Sequence, residues 1–356
     1  MNLKKITACA AVMCAGFVFA QDYDVVKAVS EKMSAVEGSV FDMGSTGNEK
    51  NELPVHKVTV SSFYISSTEV TQKEYEAVTG ENLSANKGEN LPVEEVSWYD
   101  ALVFCNKLSI MSSLTPVYSI NGTTDPEKWG AIPRIDSSDE EKSVWNKAAL
   151  NPLADGYRLP TEAEWEFAAK GGIKDTPSIY SGSSTSAFVA WNASTSGDAT
   201  HDVAKKNANE LGLYDMTGNV WEWCWDWYGN YPKEDVKDPL GEKEEVTGRK
   251  IRRGGSIKSA DVFCRNENRA TSVPELRGVD LGFRVARSVV SSVPAAAVSE
   301  PAPAPEAAVP AESATPEAAV PVSEIVPASE ELSASDAVYA SVEEDAFIDD
   351  TAGLSK

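Results

Sequence analysis

The residues best able to do chemistry in this 356-residue chain gather in one run, Gly212-Leu-Tyr-Asp-Met-Thr-Gly-Asn-Val-Trp-Glu-Trp-Cys-Trp-Asp-Trp-Tyr228. Asp215 and Glu222 stand seven positions apart, with Gly218 between them to turn the chain. Two carboxylates and the main-chain oxygens of such a turn can converge on one hard cation, and an all-oxygen donor set suits Ca²⁺. Five of the eight residues from Trp221 to Tyr228 are aromatic, which first of all marks a core element. A carboxylate inside that element is costly unless a cation meets it.

Other chemistries find less material. His56 and His201 are the only histidines, so multi-histidine metal centres are excluded and structural roles are expected for both. No Gly-x-Ser-x-Gly nucleophile elbow occurs. A net charge of −23 argues against a polynucleotide ligand, which needs a basic face to displace phosphate counterions. The basic pairs Arg252-Arg253 and Arg284 with Arg287 read as salt-bridged rather than as substrate clamps.

The elements that must position these residues announce themselves by spacing. Ser39–Met43, Val55–Val60 and Phe63–Ile65 read as short strands, with Val58 and Val60 on one face and Lys57 and Thr59 on the other. Thr71-Gln-Lys-Glu74, Ser97-Trp-Tyr-Asp100 and Thr161-Glu-Ala-Glu164 each set a hydroxyl three residues before an acid, the signature of a capped helix start. Gly80 and Gly171 supply stops. Residues 119–150 read as a long polar insert, and helical patterns nearly vanish after Gly172.

Both ends differ from the body. Met1 to Ala20 has Lys4 and Lys5, an apolar stretch and small residues before Gln21, the grammar of an export signal cut near Ala20. Lipid attachment at Cys14 is the weaker reading, because Met13 before it is large. Residues 21–37 are expected as a lead-in helix, from the spacing of Val25, Val26, Val29 and Met33. From 289 to 356 the chain is rich in Ala, Pro, Glu, Val and Ser, repeats Pro-Glu-Ala-Ala-Val-Pro at 305 and 316, and has Lys356 as its only base. Such a tail offers too little large apolar surface to offset its chain entropy, so disorder is expected. No apolar run is long enough to span a membrane.

Six blocks together resemble the formylglycine-generating enzyme, or sulfatase-modifying factor, family. They are Phe63-Tyr-Ile-Ser-Ser-Thr-Glu-Val-Thr-Gln72, Leu91-Pro-Val-Glu-Glu-Val-Ser-Trp98, Gly156-Tyr-Arg-Leu-Pro-Thr-Glu-Ala-Glu-Trp-Glu-Phe167, Gly212 to Trp223, Arg253-Gly-Gly-Ser256 and Leu281-Gly-Phe-Arg284. The resemblance covers residues 38–288 and implies one compact α/β (α+β) domain of C-type lectin-like fold with little regular secondary structure. It also implies a Ca²⁺ site from the Asp215 and Glu222 side chains with the Gly218 and Val220 carbonyls. A second family site falls on about 192–203, where Asn192 and Asp198 are weak candidates.

Catalysis is where the resemblance fails. The family's oxidases hold Cu(I) between two cysteines five positions apart, shortly after the Gly-Gly-Ser block. Here those positions are Ser259 and Cys264, with Ser256 nearby. A hydroxyl is a hard, protonated donor that cannot replace a thiolate on Cu(I), so copper is not expected. Of the remaining thiols, Cys105 is expected buried in its helix, and Cys224 with Cys264 is the best candidate disulfide for an oxidising compartment. The expectation is a secreted or periplasmic, non-catalytic scaffold for a protein, peptide or glycan. The alternatives are an oxidase acting on a cysteine of sulfatase-like proteins, for which Cys264 would work alone or with Cys224, and a structural envelope protein.

Overall fold

The computed structural model describes residues 24–174, 176–242 and 247–290. The expected export signal with Cys14 and the acidic tail beyond 290 lie outside the described residues.

Helix starts are chemically defined. The helices α2 (Gln72–Thr79), α3 (Trp98–Met111) and α5 (Glu162–Ala169) begin at reciprocal capping boxes on Thr71, Ser97 and Thr161, as their spacing indicates. Gly80 ends α2 in the left-handed conformation, at φ 88°. A fourth box, Ser138 with Glu141, starts α4 (Asp139–Asn146) inside the segment expected to be a polar insert. Only Trp145 of α4 is buried, so the hydrophobic periodicity that marks a helix is nearly absent there. A four-residue helix, α6 (Ser186–Val189), completes the described helices beyond residue 172.

The lead-in segment divides in two. Residues 24–31 form helix α1, with Val25 and Val29 buried. The expected helix stops there, because Met33–Val36 is strand β1 and pairs antiparallel with β4 (Phe63–Ser66). Lys32 anchors the change of direction, with its ammonium 2.6 Å from Glu74 and also bonded to Thr68 and the Glu69 carbonyl.

Short strands assemble into small sheets. One four-stranded sheet runs β1-β4-β13-β7, with β13 at Ala286–Ser288 and β7 at Tyr157–Arg158. A second runs β11-β10-β8-β12, joining Ala270–Ser272, Lys250–Arg253, Trp221–Trp227 and Leu281–Gly282. A third joins β2 (Ser39–Met43), β3 (His56–Val60) and β9 (Val236–Lys237). In β3 the buried residues are His56, Val58 and Val60, the alternation expected from sequence. A two-stranded ribbon pairs β5 (Tyr118–Ser119) with β6 (Ala149–Leu150). All seven residues of β8 are buried, so the tryptophan run is core.

The core also holds a network of charge. Arg253, fully buried, donates to Glu162 (2.9 Å), Glu166 (2.7 Å), the Tyr231 hydroxyl and the carbonyls of Asn266 and Asn268. Arg269 forks onto both oxygens of Glu162 at 2.6 and 2.7 Å. Burial alone would raise the pKa of Glu166, but Lys170 and Arg253 reverse that and hold it at about 2. Similar forks join Arg158 to Glu164 and Arg265 to Glu52. The expectation that Arg253 and Arg284 are salt-bridged therefore holds; Arg252 lies over the Trp221 ring, and Arg287 donates to the Asp155 carbonyl.

Asp226 is the exception in this network. Burial, with Glu162 nearby, pushes its pKa up to about 7, and Lys250 offsets only part of the rise.

Two outcomes are expected. Arg253→Ala should cost about 3–5 kcal/mol in urea unfolding, because it leaves Glu162 and Glu166 buried without their shared cation. For Asp226, the folded state keeps a proton that the unfolded chain has released between about pH 4 and 7, so its contribution falls as pH rises through that window. Asp226→Asn should therefore melt higher than the parent at pH 8, by up to about 4 kcal/mol, and show little difference at pH 4, in paired thermal melts.

Candidate functional site

Strand β10 delivers Arg253 into the core and hands the chain to Gly254-Gly255-Ser256, so the loop from 256 to 264 starts from a fixed point. Gly255 has φ 76°, and a Cβ there would collide with the Cys264 sulfur and main chain, which requires glycine. The loop is bound to itself. Ser259 Oγ accepts from the Ser256 amide at 3.0 Å and lies 3.2 Å from Ser256 Oγ, and Ser256 donates to Asp280 Oδ2 at 2.6 Å. The Ser259 carbonyl accepts from Ala193, joining this loop to the one at 192–201.

Cys264 ends a 3₁₀ turn, Asp261–Cys264, that leaves Asp261 and Val262 exposed and points the thiol inward beside Tyr180 and Val189. Burial, aided by the Asp261 charge, raises that thiol to about 12. No hydrogen bond joins Ser259 to Cys264 among the described residues, so the two positions are adjacent in the loop but not in chemistry. The expected Cys224–Cys264 disulfide is not formed: Cys105, Cys224 and Cys264 are all free and buried. Cys224 belongs to a different core cluster from Cys264, because β8 turns it toward Trp165 and Ile251.

The Asp215–Glu222 turn is more strained and more highly charged. Asp215 and Asn219 have φ of 56° and 63°, and Gly218 (φ 81°) packs so closely on the Trp191 carbonyl that a Cβ would collide with it. Glu222 is fully buried and forked by Arg284 at 2.7 Å on each oxygen, with Trp165 Nε1 donating to Oε2. Glu69 spends its carboxylate on Asn219 Nδ2 and the Val220 amide. Its pKa is raised, first by burial and then by Asp215 and Glu222. Asp215, 2% exposed, accepts from the Ala204 amide through Oδ2, whereas Oδ1 is buried with no partner.

Three buried carboxylates thus lie in the field of the Arg284 guanidinium, which hydrogen-bonds Glu222 alone among them. That charge excess and the orphaned Asp215 oxygen fit a cation at the turn. Glu222 contributes less freely than the sequence suggests, since three of its roughly four lone-pair directions are already occupied. No group of three or more His, Cys, Asp or Glu among the described residues is arranged as a metal cluster, so main-chain oxygens are needed to complete any site.

The second loop offers less. Asn192 Oδ1 accepts from Ser194 and Thr195, and its amide is bonded to Asp261, so this side chain is spent on shaping the loop. Asp198 is exposed, with φ 60°. His201 stacks on Trp191 at 3.7 Å, a structural role. Sequence reasoning did not single out Asp280, Glu69, Trp165 or the Glu222–Arg284 pairing. Glu69 and Arg284 lie within the matching blocks, but nothing in their spacing from residue 222 shows that they meet it.

Residues 23–289 match the model of the sulfatase-modifying factor enzyme 1-like domain. The chain belongs to this family. It is 39% identical to a chaperone protein LppX of Paenibacillus barcinonensis, over 73% of this chain and 90% of that one. A formylglycine-generating enzyme of Streptomyces coelicolor is 29% identical, covering 70% of this chain and 87% of its own. Among solved structures, Treponema denticola variable protein 1 superposes with a TM-score of 0.63 and 37% identity, over 72% of this chain and 94% of that chain. The match to the family model begins at 23 and so takes in helix α1 and β1.

The buried thiols of this family member give a direct check. At pH 8 the native protein should leave Cys105, Cys224 and Cys264 unmodified by iodoacetamide in peptide mass spectrometry, whereas the unfolded chain should be alkylated at all three.

Proposed function

We propose that this chain is a non-catalytic, extracytoplasmic member of the sulfatase-modifying factor family, a calcium-stabilised scaffold whose loops bind a protein, peptide or glycan. The observation that carries the reading is the Ser256–Ser259–Cys264 loop. Its first family cysteine is a serine engaged with Ser256, and its second is a buried thiol held protonated at neutral pH. A Cu(I) site needs two thiolates, and this loop offers one thiol that resists ionisation. The chemistry left at the surface is hydrogen bonding and charge, from exposed Lys258 and Asp261 beside half-buried Asp280. A relative named for a chaperone role supports a binding function for the fold.

In this reading Asp215 and Glu222, with the Gly218 and Val220 carbonyls, would hold Ca²⁺, which supplies the positive charge that the three carboxylates lack. The N-terminal segment carries the scaffold outside the cytoplasm, to the periplasm, the envelope or the medium. No helix among the described residues is long and apolar enough to cross a membrane.

The alternative, an oxidase producing formylglycine from cysteine, is favoured by the 29% identity to a formylglycine-generating enzyme. It would have to use Cys264 alone or with the distant, buried Cys224.

One purified sample tests both parts. Stripping divalent metal with EDTA should lower the melting temperature and Ca²⁺ should restore it, by about 3 kcal/mol at a hundredfold excess over Kd. The copper-loaded protein should leave a sulfatase-motif cysteine peptide unoxidised. Aldehyde formation that is lost in Cys264→Ala would replace the scaffold with the oxidase.

A further inference from the structure

Residues that follow β8 line a cavity built from residues other than those of the Ser256–Ser259 loop. It measures about 250 Å³ and is lined by His56, Glu162, Asp226, Trp227, Tyr231 and Arg269, with exposed Glu242 at the rim.

Most of its charge is already spent. Arg269 gives its guanidinium to both oxygens of Glu162 and to the carbonyls of Asn51 and Gly229. Glu162 takes Arg253 as well. Two acceptors remain. Asp226, 3% exposed, accepts from the Glu162 amide through Oδ2, and its Oδ1 has no hydrogen-bond partner among the described residues. His56, 6% exposed, places Nδ1 3.2 Å from the Pro54 carbonyl. A carbonyl can only accept, so Nδ1 carries the proton and Nε2 of the neutral ring is left as an acceptor. The His56 and Tyr231 rings stand 4.9 Å apart, and Trp227 adds a third aromatic wall.

The open Asp226 acceptor belongs to a nine-tenths-buried side chain on the cavity wall, and a ligand cation there would answer its charge. Lys250 already lies over the Trp227 ring at 3.7 Å and Arg269 over the Tyr231 ring at 3.8 Å, so the rings serve as an apolar lining for the short stem of an ammonium ligand while Asp226 meets its charge. A neutral alcohol could donate one hydrogen bond but would leave the charge unanswered, and the acidic rim and strongly negative chain both favour a cation. We propose that this cavity binds a small organic ammonium ion, with Asp226 as its counter-charge, His56 as its second acceptor, and Trp227 and Tyr231 as its walls.

The test compares n-butylammonium with n-butanol, which share a shape and differ in charge, on the full-length chain by calorimetric titration and by quenching of tryptophan fluorescence. The ammonium should bind saturably and the alcohol should not at the same concentration. Asp226→Asn, which keeps the acceptor for the Glu162 amide, should weaken the ammonium by at least about tenfold. His56→Phe should weaken it several-fold and decides the matter if the first variant fails to fold. Equal response to both probes, no response to the ammonium, or undiminished affinity in both variants would overturn the assignment. None of these results bears on the serine loop, so the scaffold reading stands or falls separately.

Discussion

One guanidinium sets the terms for the rest of the molecule. Arg253 is fully buried, yet it meets two carboxylates on one helix, a tyrosine hydroxyl and two carbonyls of the 266–268 segment. Glu162 and Glu166 lie four apart on α5 and so face the same way, and the Thr161–Glu164 capping box fixes where that helix begins. A helix start, a strand end and a loop are thereby locked to one another by directional bonds. A fold of two- to seven-residue strands has little backbone ladder to rely on, and charged side chains do here what long strands do elsewhere. The energetic worth of such pairs against an apolar core is modest, but their geometry admits few alternatives, which suits a chain rich in loops.

In the proposed scaffold reading, this division lets the fold accommodate a serine at the first of the family's two cysteine positions. Arg253 and the glycines after it are constrained by the core. The next residues, from 256 to 264, hang from that anchor and are bonded to each other, to Asp280, and to Asn192, Ala193, Ser196 and Asn219 of the neighbouring loops. Replacing a thiol by a hydroxyl at 259 keeps a small polar side chain that caps the Ser256 amide. Cys264 fills the space over Gly255 and beside Tyr180, with the Ser256 main chain as its polar neighbour.

What could be read from sequence alone was whatever local chemistry fixes by itself. Hydroxyl-to-acid spacing located three helix starts because a capping box is satisfied within four residues. The same signal was present at Ser138, but its helix buries one tryptophan and lacks an apolar stripe, so the segment passed for a loop. β1 was misread because Val29 and Met33 keep helical spacing across the point where the chain turns to pair with β4. The buried β8 was legible as core from its tryptophans alone. Its partners were not, since Arg284 reaches Glu222 across 62 positions. Likewise, two cysteines 40 positions apart carry no record of the separate clusters into which β8 and the 3₁₀ turn direct them.

The two carboxylates of β8 show why placement, not residue type, decides function. Glu222 and Asp226 lie four apart on one strand, so their side chains leave on the same face, and both are buried. Glu222 meets Arg284 in a two-point fork and becomes part of the frame. Asp226 meets an amide through one oxygen and keeps the other. A shift of two turns of pleat changes a paired acid into one with unsatisfied capacity, in a chain whose other buried acids are mostly matched to arginines. Evolution of a binding function needs only such leftover capacity beside a cavity. The frame that makes it rigid is already supplied by the pairs that do nothing else.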